Sequence, residues 1–87
     1  MNLTRLESFV AVVDAGSVSA AARYMGIGQS AVSKQLKALE LDFGVALISR
    51  KPKSAVQLTA AGRRLLPIAR KVVRSLINAH EILASES

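Results

Sequence analysis

A run of hydrogen-bonding side chains near the middle of the chain has the chemistry to read the edges of bases. Within nine residues the sequence places Gln29, Ser30, Ser33, Lys34 and Lys37. A Gln amide can pair with adenine through two hydrogen bonds, and a Ser hydroxyl can reach either a base or a phosphate. Ser and Gln also occur at helix starts as simple caps, so the residue types alone leave two interpretations open.

The overall charge favours a polyanionic partner. The 87 residues carry a net charge of +6, which suits nucleic acid, an anionic membrane surface or an acidic protein. Residues 1–28 carry two basic and two acidic side chains, whereas residues 29–58 carry five basic and two acidic ones. The excess positive charge therefore begins with the hydrogen-bonding cluster.

The same composition argues against an enzyme. There is no cysteine and only one histidine, His80, which excludes disulfides, thiolate metal sites and multi-histidine sites. A phosphate loop and a nucleophile–base pair are also absent from the sequence, so no cofactor and no metal are expected. The longest apolar run, Phe9–Val13, is far too short to span a membrane, and no signal-peptide pattern is visible. We therefore expect a cytoplasmic protein without enzymatic activity.

Apolar periodicity predicts four helices and one hairpin. The first helix carries an apolar stripe that leaves Ser8 outside, and Gly16 ends it. The third helix carries an apolar face that extends from Val32 to Phe43. Ser17 and Thr59 are the expected N-caps of the second and last helices. Two β-competent runs around Pro52 predict the hairpin. The helices are expected over residues 3–15, 18–25, 29–43 and 60–84, with the hairpin over 46–58.

The second and third helices match the spacing of a helix-turn-helix. Ala22 allows the two helices to approach closely, Gly26 can adopt a positive φ in the turn, and Val32 holds the third helix against the core. These three residue types are common, so this short pattern is weak by itself. Together with the basic hairpin and the long last helix, however, it indicates a winged-helix layout.

The last helix carries an apolar heptad seam typical of a helix that packs on another helix. The seam consists of Leu65, Ala69, Val72, Leu76, Ala79 and Leu83. One interpretation is a helical protein-interaction module, which uses this seam and a basic face to bind an acidic partner. A membrane-surface helix is a third interpretation, but this helix lacks the interfacial aromatic residues that such helices favour.

A longer string of residues resembles one family. The string consists of Gly16-Ser17, Ala20-Ala21-Ala22, Gln29-Ser30-Ala31-Val32-Ser33-Lys34-Gln35-Leu36, Leu39-Glu40, Phe43-Gly44, Leu47, Arg50 and Leu58-Thr59-Ala60-Ala61-Gly62. Over residues 2–85 the chain resembles the N-terminal domain of LysR-type transcriptional regulators. The resemblance implies a mainly α winged helix-turn-helix over 1–58, with a three-helix core and a two-stranded β wing. It also implies a linker helix over 59–87 that pairs antiparallel with a second copy.

The resemblance further implies sequence-specific binding of double-stranded DNA by a homodimer, at an A/T-containing interrupted inverted repeat. Residues 29–37 would enter the major groove, where Gln29, Ser33 and Lys34 are candidates for base contacts and Ser30 is a weaker one. Lys34 stands where the family often has Arg, and the lost guanidinium fork makes a single or phosphate contact the expectation.

Further contacts are implied outside this helix. Arg50 in the wing would reach the minor groove or its phosphates, with Lys51 and Lys53 as weaker candidates. Candidate phosphate contacts are Arg5, Lys37 and the hydroxyl of Thr59.

Family members are usually several times longer and carry a C-terminal effector domain. We therefore expect the DNA-binding part alone, with any small-molecule inducer bound by a domain absent from this sequence; a naturally short regulator is the alternative. The sequence departs from the family pattern in three places. Gly28 replaces a Ser, and Ile48 replaces a Phe. The stretch from Arg50 to Thr59 is one residue longer, so the direction in which Lys51 and Lys53 point stays open.

Overall fold

The structure, a computed structural model, describes residues 3–49 and 56–85. It contains four helices: α1 (Leu3–Ala15), α2 (Val18–Met25), α3 (Gln29–Phe43) and α4 (Ala60–Ser85). Between α3 and α4 the chain turns back through an antiparallel bridge between Ile48 and Leu58. The predicted helices are confirmed, and the bridge lies at the base of the predicted hairpin. Residues 46–49 and 56–59 together form the wing base; residues 50–55, the predicted tip, lie outside the described residues.

The helices end where the sequence places glycine. Gly16, Gly26 and Gly44 follow α1, α2 and α3, and all three adopt a positive φ. Only glycine takes up this left-handed conformation without strain, so each helix stops at a defined residue. Three helix axes can therefore change direction within short turns, which brings α1, α2 and α3 onto one core.

α1 is the centre of that core. Phe9 and Val12 are fully buried, and α1 packs against each of α2, α3 and α4. Two expectations need correction. Ser8, placed outside the apolar stripe, is fully buried, because it lies four residues before Val12 and shares its face of the helix. Phe43, expected on the buried face of α3, is 42% exposed at the end of that helix.

The first turn of α4 packs directly against the backbone of the wing base. Gly62 is buried, and a Cβ atom added there would overlap with the carbonyl oxygen of Leu47. Sequence reasoning treats a glycine in a helix only as a weakness. The structure gives the reason for it: a side chain would push α4 away from the wing base.

The first half of α4 belongs to the core, and the second half extends away from it. Ala69 is fully buried, and Leu65, Leu66 and Val73 pack against the core. Ala69 therefore has no surface left for a partner, which corrects its place in the predicted seam. From Ile77 onwards every described residue of α4 is exposed. In the two described ranges, no helix is long and apolar enough to cross a membrane.

Gly62→Ala tests the close approach of α4 to the wing base. Alanine in a helix normally stabilises by about 0.5–1 kcal/mol relative to glycine. Here we expect a loss of about 1–3 kcal/mol, because the methyl group overpacks against a backbone carbonyl. Chemical denaturation at a fixed protein concentration measures the free energy of unfolding. Gly28→Ala is the matched control, since its added Cβ meets nothing within 4 Å. Stabilisation by Gly62→Ala would show that the contact between α4 and the Leu47 carbonyl leaves room for a side chain.

Candidate nucleic-acid interface

The turn between α2 and α3 is held by backbone and cap hydrogen bonds. The Ser17 hydroxyl accepts from the backbone N–H of Ala20 at 3.0 Å, which caps α2. At the other end, the N–H of Ile27 donates to the carbonyl of Ala22 across Gly26, whose φ is +72°. Ala22 is buried between the helices and Val32 is fully buried. The predicted helix-turn-helix is confirmed, together with the role of each of its three signature residues.

The predicted reading residues share one solvent-exposed side of α3. Residues at spacings of three, four and seven lie on one face of a helix, and Ser30, Ser33, Lys34 and Lys37 have this spacing. All four are exposed, as is Gln29 at the start of the helix. The opposite face is buried through Val32, Leu36 and Leu39. The hydrogen-bonding face of α3 is therefore free to enter a groove while the other face is fixed.

Gln29 and Arg5, both candidate contact residues, already have partners within the chain. The Gln29 amide nitrogen donates to the Ser19 hydroxyl at 3.3 Å. The Arg5 guanidinium forms an ion pair with Asp42 at 2.7 Å and is part-buried there. The Gln29 bond is exposed and can be exchanged for a base contact at little cost. Arg5 instead ties the start of α1 to the end of α3, and its predicted phosphate contact must compete with that carboxylate.

A buried polar contact that sequence reasoning missed joins α1 to α3. The hydroxyl of Ser8 donates to the side-chain oxygen of Gln35 and lies 3.8 Å from the sulfur of Met25. A hydrogen bond inside a core has a preferred direction, unlike apolar packing. It therefore fixes how α3 is rotated against α1. The available signal was the i, i+4 relation of Ser8 to Val12, which placed Ser8 on the buried face.

Glu40 is the second residue that sequence reasoning left without a role. Its carboxylate accepts hydrogen bonds from the backbone N–H groups of Leu47 at 2.8 Å and Ile48 at 3.1 Å. Leu47 and Ile48 are buried, so without this carboxylate their N–H groups would need other partners. The resemblance includes the pair Leu39-Glu40 but assigns it no function. In the structure Glu40 anchors the wing base to α3.

The hydroxyl of Thr59 is used inside the wing base. It donates to the carbonyl of Ala46 at 2.7 Å and accepts from the N–H of Gly62 at 3.0 Å, which caps α4. The cap was expected; the bond to Ala46 was not. Because its proton is donated to Ala46, the phosphate contact, which stays a prediction, would have to compete with this bond. The wing residues Arg50, Lys51 and Lys53 lie outside the described residues.

The predicted seam on α4 divides into a covered and an open part. Leu65 packs against the core, as Ala69 does. Leu76 is half-buried, Val72 is 36% exposed, Leu83 is 67% exposed and Ala79 is also exposed. The open part of the seam therefore begins near the middle of α4 and runs towards its C-terminus.

These features define a winged helix-turn-helix nucleic-acid-binding domain, and comparison with known proteins identifies its family. Residues 3–63 match the family model for bacterial regulatory helix-turn-helix proteins of the lysR family. The regulator TcbR of Pseudomonas sp. strain P51 is 38% identical over 73 residues, which are 84% of this chain and 24% of that protein. A probable hydrogen peroxide-inducible genes activator of Mycobacterium leprae is 45% identical over 71 residues, 82% of this chain and 22% of that protein.

The similar solved structures include complexes with DNA. In the complex of the CbnR DNA-binding domain with DNA, the protein chain is 32% identical with a TM-score of 0.85, and the match covers 99% of this chain and 98% of that one. In the complex of the BenM DNA-binding domain with benA site 1 DNA, identity is 29% and the TM-score 0.87, and both chains are covered completely. The chain belongs to the LysR family and is its helix-turn-helix DNA-binding domain. It spans about a quarter of the length of the curated relatives it matches.

Gly28→Ser tests whether the reading helix lacks a cap. Gly28 is the N-cap residue of α3 and makes no side-chain hydrogen bond, yet its φ of −74° and ψ of 156° suit a serine. We expect the free energy of unfolding to rise by a few tenths of a kcal/mol, as measured by denaturation. Gly44→Ser is the contrasting control, because its φ of +70° is strained for serine and the variant should be less stable. Equal effects at the two positions would show that α3 gains nothing from a side-chain cap.

Proposed function

We propose that this domain binds double-stranded DNA sequence-specifically as a homodimer, as the DNA-binding part of a LysR-type transcriptional regulator. The observation that carries the proposal is the exposed hydrogen-bonding face of α3, set on a helix whose other face is buried. A helix that reads the major groove needs one exposed polar face and one buried face. The groove admits a single helix, and the buried face must pack against the rest of the protein. The match to two domains solved with DNA supports it.

Gln29, Ser33 and Lys34 are the proposed base-reading residues. They lie on the first turns of α3, the end that usually approaches base edges in a helix-turn-helix. Exchange of the Gln29–Ser19 hydrogen bond for a base contact leaves no buried group without a partner, since both side chains are exposed. Ser30 is proposed as a weaker base-reading candidate. Lys37, one turn further along the same side, is proposed to contact phosphates, which fix orientation without reading sequence.

The wing is proposed to approach the minor groove through Arg50, with Lys51 and Lys53 adding positive charge. This part of the proposal rests on the family resemblance and on residue type. A narrow A/T-rich minor groove concentrates negative potential, which attracts an Arg side chain. The well-held wing base supports it, because Glu40 and Thr59 fix the two segments that precede and follow residues 50–55 in the sequence.

The open part of the α4 seam is proposed to pair with a second copy of the chain. Val72, Leu76, Ala79 and Leu83 lie at heptad spacing on the half of α4 that extends from the core. An apolar stripe of this kind on a helix is normally covered by another helix. Two antiparallel copies would present two α3 helices to an inverted repeat, as two-fold symmetry requires.

The alternative function is a helical module that binds an acidic protein through the same seam. This alternative accounts for the basic charge, but it does not account for the helix-turn-helix geometry. The relatives are named as transcriptional regulators, and we propose a non-enzymatic role and a cytoplasmic location, where bacterial DNA is found.

Titration against DNA tests the proposed function. We expect a steep loss of affinity with salt and tighter binding to an A/T-containing inverted repeat than to scrambled DNA. Ser33→Ala should reduce discrimination at one half-site position by about 1–3 kcal/mol, because one base contact is lost. Lys37→Ala should weaken binding to all sequences alike and lower the salt slope by about one. Equal affinity for repeat and scrambled DNA would reduce the domain to a non-specific binder, and absence of binding at low salt would exclude DNA as the partner.

Leu76→Glu tests the proposed dimer. A carboxylate placed in an apolar helix pair is strongly unfavourable, so we expect sedimentation to show a monomer in place of the wild-type dimer. Asn78→Glu introduces the same charge at an exposed position two residues on, and is expected to leave the dimer intact. If both variants sediment like the wild type, the open part of the α4 seam does not form the dimer interface.

A further inference from the structure

The helix proposed to read DNA and the helix proposed to pair with a second copy are not packed backbone to backbone. Within the described part of the chain, the Cα atoms of α3 and α4 all stay more than 8 Å apart, although side chains of both helices share one core. Their relative placement must therefore be transmitted through other elements. This matters for a dimer, because the distance between its two reading helices depends on the angle between α3 and α4 in each protomer.

α4 is attached to the rest of the domain at two points. The first is the apolar packing of its middle turns on α1, centred on the fully buried Ala69, and the Asp14–Arg70 ion pair at 2.7 Å adds to it. The second is its first turn, where Gly62 lies directly against the Leu47 carbonyl. The first attachment runs along α4 from Leu65 to Val73, and the second adds a separate contact that fixes the N-terminal end of the helix.

A chain of polar contacts runs from α3 to this second point. The Glu40 carboxylate on α3 holds the N–H groups of Leu47 and Ile48. The Thr59 N–H donates to the carbonyl of Leu47 at 3.0 Å. The Thr59 hydroxyl donates to Ala46 and accepts from the N–H of Gly62 in α4. Each step is a directional hydrogen bond, so the chain fixes orientation as well as distance.

We propose that Glu40 and Thr59 are positioning residues that lock the direction of α4 relative to α3, and so set the half-site spacing that the dimer accepts. The inference rests on the proposed dimeric DNA binding. Without the second attachment, only the packing on α1 around Ala69 limits the tilt of α4, and Ser85 lies 16 residues further along the helix. At 1.5 Å per residue this arm is about 24 Å long, so a tilt of about 10° moves its end by about 4 Å. That exceeds the step of about 3.4 Å between base pairs.

The first experiment measures the α3–α4 geometry without DNA. The sequence contains no cysteine, so spin labels can be attached at Leu41→Cys on α3 and Asn78→Cys on α4, both exposed. Labelled chains diluted with unlabelled ones report the distance within one protomer. We expect a narrow distance distribution in the otherwise wild-type chain, a clearly broader or shifted one with Thr59→Val, and recovery with Thr59→Ser, which restores the hydroxyl.

Thr59→Asp separates the two roles of the Thr59 side chain, which are the hydrogen bond to Ala46 (the link between the wing base and α4) and the capping of α4. Aspartate is a good N-cap and can still accept from Gly62, but an ionised carboxylate cannot donate to Ala46. We expect it to broaden the distribution as Thr59→Val does while α4 stays folded, and it keeps the test usable if Thr59→Val does not fold. Ser17→Ala is the matched control, because it removes the cap of α2 without touching the link. A wild-type distribution in both Thr59→Val and Thr59→Asp overturns the proposal.

The second experiment measures spacing preference. Inverted repeats whose spacers differ by single base pairs are titrated with each variant. The affinity ratio between the best spacer and its neighbours should fall by about threefold or more with Thr59→Val, and return with Thr59→Ser. A uniform loss over all spacers would instead indicate a lost phosphate contact and overturn the proposal. A wild-type chain that is monomeric or does not bind DNA contradicts the proposed function, whereas the spin-label result still decides whether the link exists.

Discussion

The buried face of α1 is the constraint on which the rest of the structure depends. Phe9 and Val12 lose all exposure to water, and α2, α3 and α4 each pack on this one helix. Among the four described helices, α1 is the one that packs on all three others. Because α3 and α4 do not pack backbone to backbone, α1 is also the helix through which they share a core.

Apolar packing alone does not fix how the helices are rotated against one another. Hydrogen bonds from three polar side chains fix these orientations. Ser8 bonds Gln35 within the α1–α3 contact, Glu40 bonds the wing base, and Thr59 joins the wing base to α4. In the described residues no buried side-chain nitrogen or oxygen lacks a hydrogen-bond partner. A satisfied polar network makes a small core specific. DNA recognition needs this specificity, since a base contact tolerates little displacement of the helix that carries it.

Much of the fold was predictable, because its signals are local. Capping residues and positive-φ glycines predicted the helix bounds, as Ser17, Gly26 and Gly44 demonstrate. The exposed face of α3 was also predictable, since hydrogen-bonding side chains there alternate with apolar ones at helical spacing. The seam on α4 was predicted too broadly. Heptad spacing indicates that a residue packs on something, but Ala69 packs on its own core and not on a partner.

The sequence by itself determined where helices begin and end, the charge, and the family, since each of these depends on residue types at fixed spacings along the chain. Tertiary structure alone decided what Gly62, Glu40 and Thr59 do. Their contacts join segments that local periodicity does not relate: Glu40 meets Leu47 and Ile48, and Thr59 meets Ala46. Residues 29–37 depend on both sequence and tertiary structure. Their hydrogen-bonding chemistry follows from the sequence, but the direction in which they point depends on how the folded chain holds α3.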